Sequence, residues 1–260
     1  MLQEMRNNII NKRFVLGVLL MMICFCGMSI PEWAVSADWG AEFRPSALQQ
    51  SVIGIFFGGS MLLLPFCAAL SCAPDQVNEI KSSIMKWKLL RSSLCSYSFR
   101  KVTSAFFTGG LTVATAFVIH AVIWNIVALP CDPIVHPYHE ISFGEDCLYS
   151  TWYSICYGLP MYATITAGIF ICAGTWSVVA LGFAVWIPDR LLSITIPACV
   201  YYLLSASIFR TLLGWQLPHP ATLYNDALTL ESAIYSLLEY GIILMIAIGI
   251  YVAGLRRQNA

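Results

Sequence analysis

The sequence predicts an all-α polytopic membrane protein with six transmembrane helices. Three observations lead there. The 260 residues are 58% hydrophobic and only 11% charged, with a mean hydropathy of +0.73, whereas a soluble domain carries about a quarter charged residues. Six apolar runs are long enough to cross a bilayer core of about 30 Å, which needs roughly 20 helical residues. The charges lie almost entirely between those runs. The runs are continuous, not alternating over about ten residues as barrel strands do, so helices are expected. Formal net charge is zero and no basic face or RNA-binding motif is present, which argues against a nucleic-acid partner.

The first span is expected at residues 14–30, beginning inside the preceding Asn-rich segment. Val35, Ser36 and Ala37 ahead of Asp38 resemble a signal-peptidase site. Pro31, Glu32 and Trp33 set it far from the apolar run, so the segment is expected to stay attached. Span two follows at residues 51–73 and span three at 104–129. Residues 74–103 between them are expected to form a cytosolic segment, with a helix from about Val77 to Leu94. Ile80, Ile84, Trp87 and Arg91 fall near one face of that helix, and Lys81, Lys88 and Ser92 near another. Span four occupies residues 159–187, with Pro160 marking a break near its start. Spans five and six occupy residues 191–214 and 233–255. Trp33, Trp39, Tyr149, Trp152, Tyr153, Tyr157 and Trp215 flank the spans where amphipathic rings favour the membrane interface. Without linker, low-complexity tract or internal repeat, residues 1–260 read as one domain.

Charge sets the expected orientation. Arg6, Lys12 and Arg13 precede span one. Lys81, Lys86, Lys88, Arg91, Arg100 and Lys101 lie between spans two and three, Arg190 between four and five, and Arg256 and Arg257 after six. All fall on one side of the predicted topology. The other side holds Arg44 and Arg210 among acids that include Glu32, Asp38, Glu42, Asp132, Glu145 and Asp226. The positive-inside rule then places both termini in the cytosol of a multi-pass plasma-membrane protein.

Several residues are candidates for chemistry. Glu239 and His120 lie inside spans, where an ionisable group is a functional candidate by default. Glu239 has three readings: a buried functional acid, a carboxylate reaching interfacial water, or a partner of Arg210 near the outer end of span five. For His120, beside Trp124 and Asn125, a hydrogen-bonded interior histidine is expected over a proton relay. Asp132, His136, His139 and Glu140 have zinc-ligand chemistry, but His-Pro-Tyr-His lacks helical ligand spacing, so no metal is predicted. Of ten cysteines, Cys24, Cys26, Cys67, Cys72, Cys172 and Cys199 read as packing residues, and Cys95 as a reduced cytosolic thiol. Cys131 and Cys147 bracket an outer loop where a disulfide would contribute on the order of 3 kcal/mol, with Cys156 as a rival partner. Gly58-Gly59, Gly109-Gly110, Ala163 with Ala167, and Gly168 with Cys172 permit close helix approach, expected within the chain rather than at a dimer seam. No G-x-x-x-x-G-K-S/T loop, G-x-S-x-G or H-E-x-x-H occurs, so the chain is expected to be neither an ATPase nor another enzyme, and to hold no cofactor.

One stretch resembles a known family. Leu62-Leu63-Leu64-Pro65, Ala68-Ala69, Asp75, Ser82-Ser83, Lys86, Arg91, Ser93, Tyr97, Lys101 and Thr108-Gly109-Gly110 occur in this order. The pattern resembles the permease subunits of ABC-2-type transporters, especially short six-span permeases of Gram-positive-type bacteria. Ser83 stands where the family usually has Gly, and Thr108 where it usually has Ser. The resemblance implies a type V exporter-like permease fold. It also implies two partner ATPase subunits that carry ATP and magnesium, and a second permease subunit, identical or related. It assigns Ser82–Ser93 the role of the coupling helix that docks on the ATPase, with Ser82, Ser83, Met85, Lys86, Trp87, Arg91 and Ser93 as docking residues. Trp87 or Met85 would anchor in an apolar cleft while Lys86 and Arg91 meet acidic rims. The bland alternative is a loop held inside by its charges and bound to anionic lipid at about 1 kcal/mol per cation. Spans two and five would line the transport path. Phe56, Phe57, Gly58, Tyr201, Tyr202 and Ser205 there favour an amphipathic, peptide-like or lipid-like cargo. A secondary transporter would need a mid-membrane polar site and broken helices in matching halves, and only His120 and Glu239 are available. A non-transporting immunity or sensor-partner protein is the remaining alternative.

Overall fold

The computed structural model describes residues 11–37, 46–56, 60–128, 159–205 and 230–259. Among the described residues every regular element is a helix: α1 (Lys12–Ala37), α2 (Ala47–Phe56), α3 (Ser60–Leu70), α4 (Ala73–Lys81), α5 (Ile84–Arg91), α6 (Leu94–Val127), α7 (Leu159–Trp186), α8 (Leu192–Ser205) and α9 (Leu230–Asn259). Four stretches are long and apolar enough to cross a membrane: Lys12–Pro31 of α1, Leu94–Val127, Leu159–Trp186, and Ile234–Gln258 of α9. They correspond to the expected spans one, three, four and six. Where span two is expected lie two shorter helices, α2 and α3, on either side of residues 57–59, and where span five is expected lies the shorter apolar α8; none of the three is among the four membrane-length helices.

Helix ends follow local chemistry. α1 starts at Lys12 and runs on through Pro31 to Ala37, so the extra length lies at the end opposite to the one expected. Pro74 sits in the first turn of α4, where its missing N–H costs nothing. Pro160 likewise lies in the first turn of α7, so it opens that helix instead of breaking it. The Ser93 hydroxyl caps α6 by accepting the Ser96 amide at 3.3 Å. α6 begins ten residues earlier than expected, so the segment between spans is shorter and the helix longer. Its 34 residues span about 50 Å at 1.5 Å per residue, so its first turns must project beyond a 30 Å bilayer core. α7 stops at Trp186, ahead of Pro188. Asp189 then accepts the Leu191 and Leu192 amides at 2.9 and 3.0 Å and opens α8.

α7 is the axis of the bundle. It is apolar all round, as a helix enclosed by others must be, and it packs on α6, α9, α3, α8 and α4. Its spanning window is 78% buried, against 22% for that of α9, which is peripheral. The α6–α7 seam is closed by residues without bulk. A Cβ on Gly109 would stand 2.3 Å from Ser177 Cβ, and one on Gly174 would stand 2.8 Å from the Phe106 carbonyl oxygen. Ser177 Oγ donates across the seam to the Ala105 carbonyl at 2.7 Å. Gly109 and Gly110 therefore serve internal packing, as expected. Two large apolar clusters and a small one around Trp124 fill the bundle among the described residues. The larger gathers Met21, Phe25, Leu64, Phe117, Ile165 and Trp176. The second gathers Val77, Met85, Tyr97, Leu181, Tyr251 and Leu255 at the end where the basic residues collect. Cys67, Cys72 and Cys172 are buried packing residues, but Cys199 is exposed on α8 rather than packed.

Gly109→Ala should destabilise the protein by about 1–3 kcal/mol through forced separation of α6 and α7, measured as a lowered unfolding midpoint in mild detergent. Gly241→Ala is the control, because nothing lies within 4 Å of a Cβ there, and it should leave the midpoint unchanged or raised.

Candidate functional site

The site lies at the basic end of the bundle, where six segments converge. Asp75 on α4 pairs with Arg13 at the start of α1 and accepts the Asn11 side chain at 3.2 Å. Asn78 Oδ1 accepts Arg190 Nε and Nη2 at 2.9 and 2.6 Å, tying α4 to the α7–α8 loop. Arg257 near the end of α9 lies over the Trp186 ring, 5.3 Å from its centroid. The basic segments expected to share one side of the membrane thus meet at one end of the fold.

Glu79 is the hub. Its carboxylate accepts Lys101 Nζ at 2.6 Å, Lys88 Nζ at 2.7 Å and Tyr97 OH at 2.9 Å. Burial alone would raise this carboxyl; the Lys101 ammonium, helped by Lys88, more than offsets it and holds the group below its ordinary value. One side chain on α4 therefore grips both α5 and the first turns of α6. At the α8 start the Leu192 amide, with those of Leu191 and the Lys81 charge, likewise keeps Asp189 ionised below the usual range.

The expected single helix Val77–Leu94 is in fact two. α4 ends at Lys81, α5 begins at Ile84, and the chain turns at Ser82 and Ser83. Ser82 Oγ donates back to the Asn78 carbonyl at 2.6 Å, competing with helix propagation. Ser83 has φ of 57°, the only positive φ at a non-glycine among the described residues. Glycine is the residue that adopts this conformation without steric cost.

The break re-aims α5. Met85 is 2% exposed, packed in the cluster with Val77 and Leu255, and its sulfur lies 3.7 Å from Gln76 Nε2. Met85 thus anchors α5 to its own chain and is not available to a partner. Ile84, Trp87 and Leu90 point outward, at 46%, 65% and 78% exposed. Lys86 and Arg91 are exposed beside them and meet no acid among the described residues. Ser93 is exposed and caps α6. Two participants escaped sequence reasoning: Leu90, which lies three residues beyond Trp87 on the exposed face, and Glu79, an isolated acid among the lysines.

The intramembrane candidates separate. His120 is fully buried between α1, α2 and α6, with Ser29 Oγ 3.1 Å from Nε2 and Cys26 Sγ 3.7 Å from Nδ1. Phe25 and Trp124 pack on its ring. It is a buried histidine with hydrogen-bonding side chains on both ring nitrogens. Glu239 is half-buried on α9. Arg210, Cys131, Cys147, Cys156 and the His136–Glu140 group fall outside the described residues, as do Phe57 and Gly58. No group of metal-ligating residues forms among the described residues.

Glu79→Gln should cost about 3 kcal/mol, the order seen when one partner of a buried pair is removed, because Lys101 keeps its charge at 14% exposure. A depressed carboxyl value stabilises fully above the unfolded-chain pKa of about 4.3 and ceases to do so as pH falls through the folded value. Unfolding midpoints of wild type and Glu79→Gln should thus differ at pH 7 and converge below about pH 4. Ser83→Val should destabilise by about 1–2 kcal/mol, since a β-branched residue resists the left-handed conformation, while Ser83→Gly should be tolerated.

Comparison with known protein families, curated proteins and solved structures finds no match for this chain.

Proposed function

We propose that the chain is the membrane-spanning permease subunit of an ABC-2-type transporter, moving an amphipathic cargo with energy from a separate ATPase subunit. The observation that carries this reading is α5. It is fixed to the bundle through Met85 on one side and Glu79–Lys88 on the other, yet offers Ile84, Trp87 and Leu90 to the exterior. Burying such side chains stabilises a complex by about 1.5–3 kcal/mol each. Lys86 and Arg91 beside them suit an acidic rim. The charge rule turns this end to the cytosol, where an ATPase is found. Both ends of the path implied by spans two and five then connect to one lever: α3 runs through the Ser71–Cys72 turn into α4, and Asn78 of α4 holds the loop that opens α8.

The rival is a lipid tether, since exposed apolar and basic residues also suit a headgroup layer. Two observations weigh against it. Glu79 pairs with both Lys88 and Lys101 and offsets one of their two charges, which weakens the cationic patch a tether would use. A tether also has no need of three helices locked to α4.

Co-expression with a candidate ATP-binding-cassette ATPase subunit should yield a complex whose ATP hydrolysis in lipid depends on this chain. Trp87→Ala, and the double change Lys86→Glu with Arg91→Glu, should each cut stimulated hydrolysis at least tenfold, the loss expected when an interface anchor is truncated, with the folding midpoint unchanged. Undiminished stimulation would refute the docking assignment.

A further inference from the structure

Two cavities of opposite character share the α7–α9 seam. One, of about 200 Å³, is an apolar slot lined by Trp176, Val179 and Phe183 of α7 and by Ile243, Ala247 and Ile250 of α9 among others, with no charged side chain on its walls. Ile246 and Ile250 at its lip are exposed, so it opens to the surroundings of the bundle. The other, of about 240 Å³, is lined by Val185, Trp186, Gly254, Arg257 and Gln258 at the basic end. Helical spacing places them end to end. Ile243, Ala247, Ile250, Gly254 and Arg257 follow one another at intervals of four and three along one face of α9, as do Trp176, Val179, Phe183 and Trp186 along α7. They meet where Trp186 Nε1 donates to the Ile250 carbonyl at 3.0 Å.

The polar end is built around one guanidinium. Arg257 lies over the Trp186 ring, and that ring is held by its bond to Ile250 and by the close approach of α9 at Gly254, where a Cβ would stand 2.8 Å from Val185 Cγ1. Stacking fixes the guanidinium plane and leaves its N–H edges for an oxyanion. Arg257 meets no acid among the described residues, and no acid lines the pocket. The carbonyl ends of α7 and α9 each bring about half a negative charge, and exposed Arg256 beside Arg257 leaves a positive remainder. Holding this end in the cytosol asks only for charge; a stacked arginine at the end of an apolar slot offers directed hydrogen bonds as well.

We propose that the α7–α9 seam binds one phospholipid of net negative charge, its phosphate on Arg257 and an acyl chain in the slot beside Trp176. Charge selects the head: the Arg257 guanidinium matches phosphate bidentately, and without an acid in the pocket nothing there pairs with the cation of a zwitterionic head. The setting agrees, because basic pockets between membrane helices on the cytosolic side suit anionic headgroups. The proposal shares only the membrane-spanning fold with the permease reading and depends on neither α5 nor a motor.

The test uses the full chain in an uncharged maltoside detergent without nucleotide, labelled with 5-fluorotryptophan. The ¹⁹F resonance that disappears in Trp186→Phe reports on the site. Dioctanoyl phosphatidylglycerol should shift it saturably and bind roughly tenfold tighter than dioctanoyl phosphatidylcholine, the worth of about one charge-assisted hydrogen bond. Inorganic phosphate alone, at the same concentration, should leave it in place. Arg257→Gln should bring the two lipids level, while Arg256→Gln, which removes the same charge outside the pocket, should keep the preference. Ala247→Phe, which fills the slot, should weaken both lipids. If Ala247→Phe does not fold, the comparison of Arg257→Gln with Arg256→Gln decides alone. Equal binding of the two lipids to the wild type, equal loss in the two arginine variants, or the same shift with inorganic phosphate would each overturn the proposal. Because ATP and ATPase are absent, failure of the docking assignment would leave these readings untouched.

Discussion

The Glu79 carboxylate is the constraint on which the basic end depends. A single acid satisfied by two ammonium groups and a phenol sits where α4, α5 and α6 meet. Without it, α5 is an eight-residue helix, far shorter than the 12–15 residues at which isolated helices become even marginal in water. With it, and with Met85 packed below, α5 becomes a rigid extension of the bundle. On the proposed reading this is what a lever requires: force applied to the outer face is delivered to the helices and not lost in a loose loop.

The delivery has a visible route. α4 holds α1 through Asp75–Arg13 and the start of α8 through Asn78–Arg190, and it follows directly from α3. A displacement of α4 must therefore move the ends of three other helices. The α6–α7 pair resists, because Gly109, Gly110 and Gly174 bring the two backbones together and Ser177 binds across the seam. The fold thus divides into a tight central pair and more loosely held neighbours. α9 is the least buried of the four membrane-length helices, and the cavity beside Trp176 opens along it.

Much of this was legible in the sequence, and the limits are physical. Long apolar runs announce membrane helices because hydropathy and length suffice, and the starts of α7 and α9 fell within a few residues of expectation. The break at Ser82–Ser83 was hidden because the amphipathic pattern of Ile80, Ile84 and Trp87 continues in phase across it; a left-handed serine leaves no trace in periodicity. That break is also why Met85 turns inward and Leu90 outward. Glu79 was invisible for another reason: its partners lie 9 and 22 residues away, beyond any helical spacing rule. Ser93 as a cap was readable from two serines ahead of an apolar run. The pairing of Trp176 with Tyr201 joins helices α7 and α8 and only folding reveals it.

The central claim is that the outer face of α5 touches a nucleotide-hydrolysing protein. The most direct measurement places a photoreactive benzoylphenylalanine at Leu90 in the full chain, irradiates intact membranes, and identifies the adduct by mass spectrometry with and without ATP. The account predicts an adduct with an ATPase carrying a phosphate-binding loop, its yield changing when nucleotide is bound. Adducts with phospholipid alone, indifferent to ATP, would contradict it.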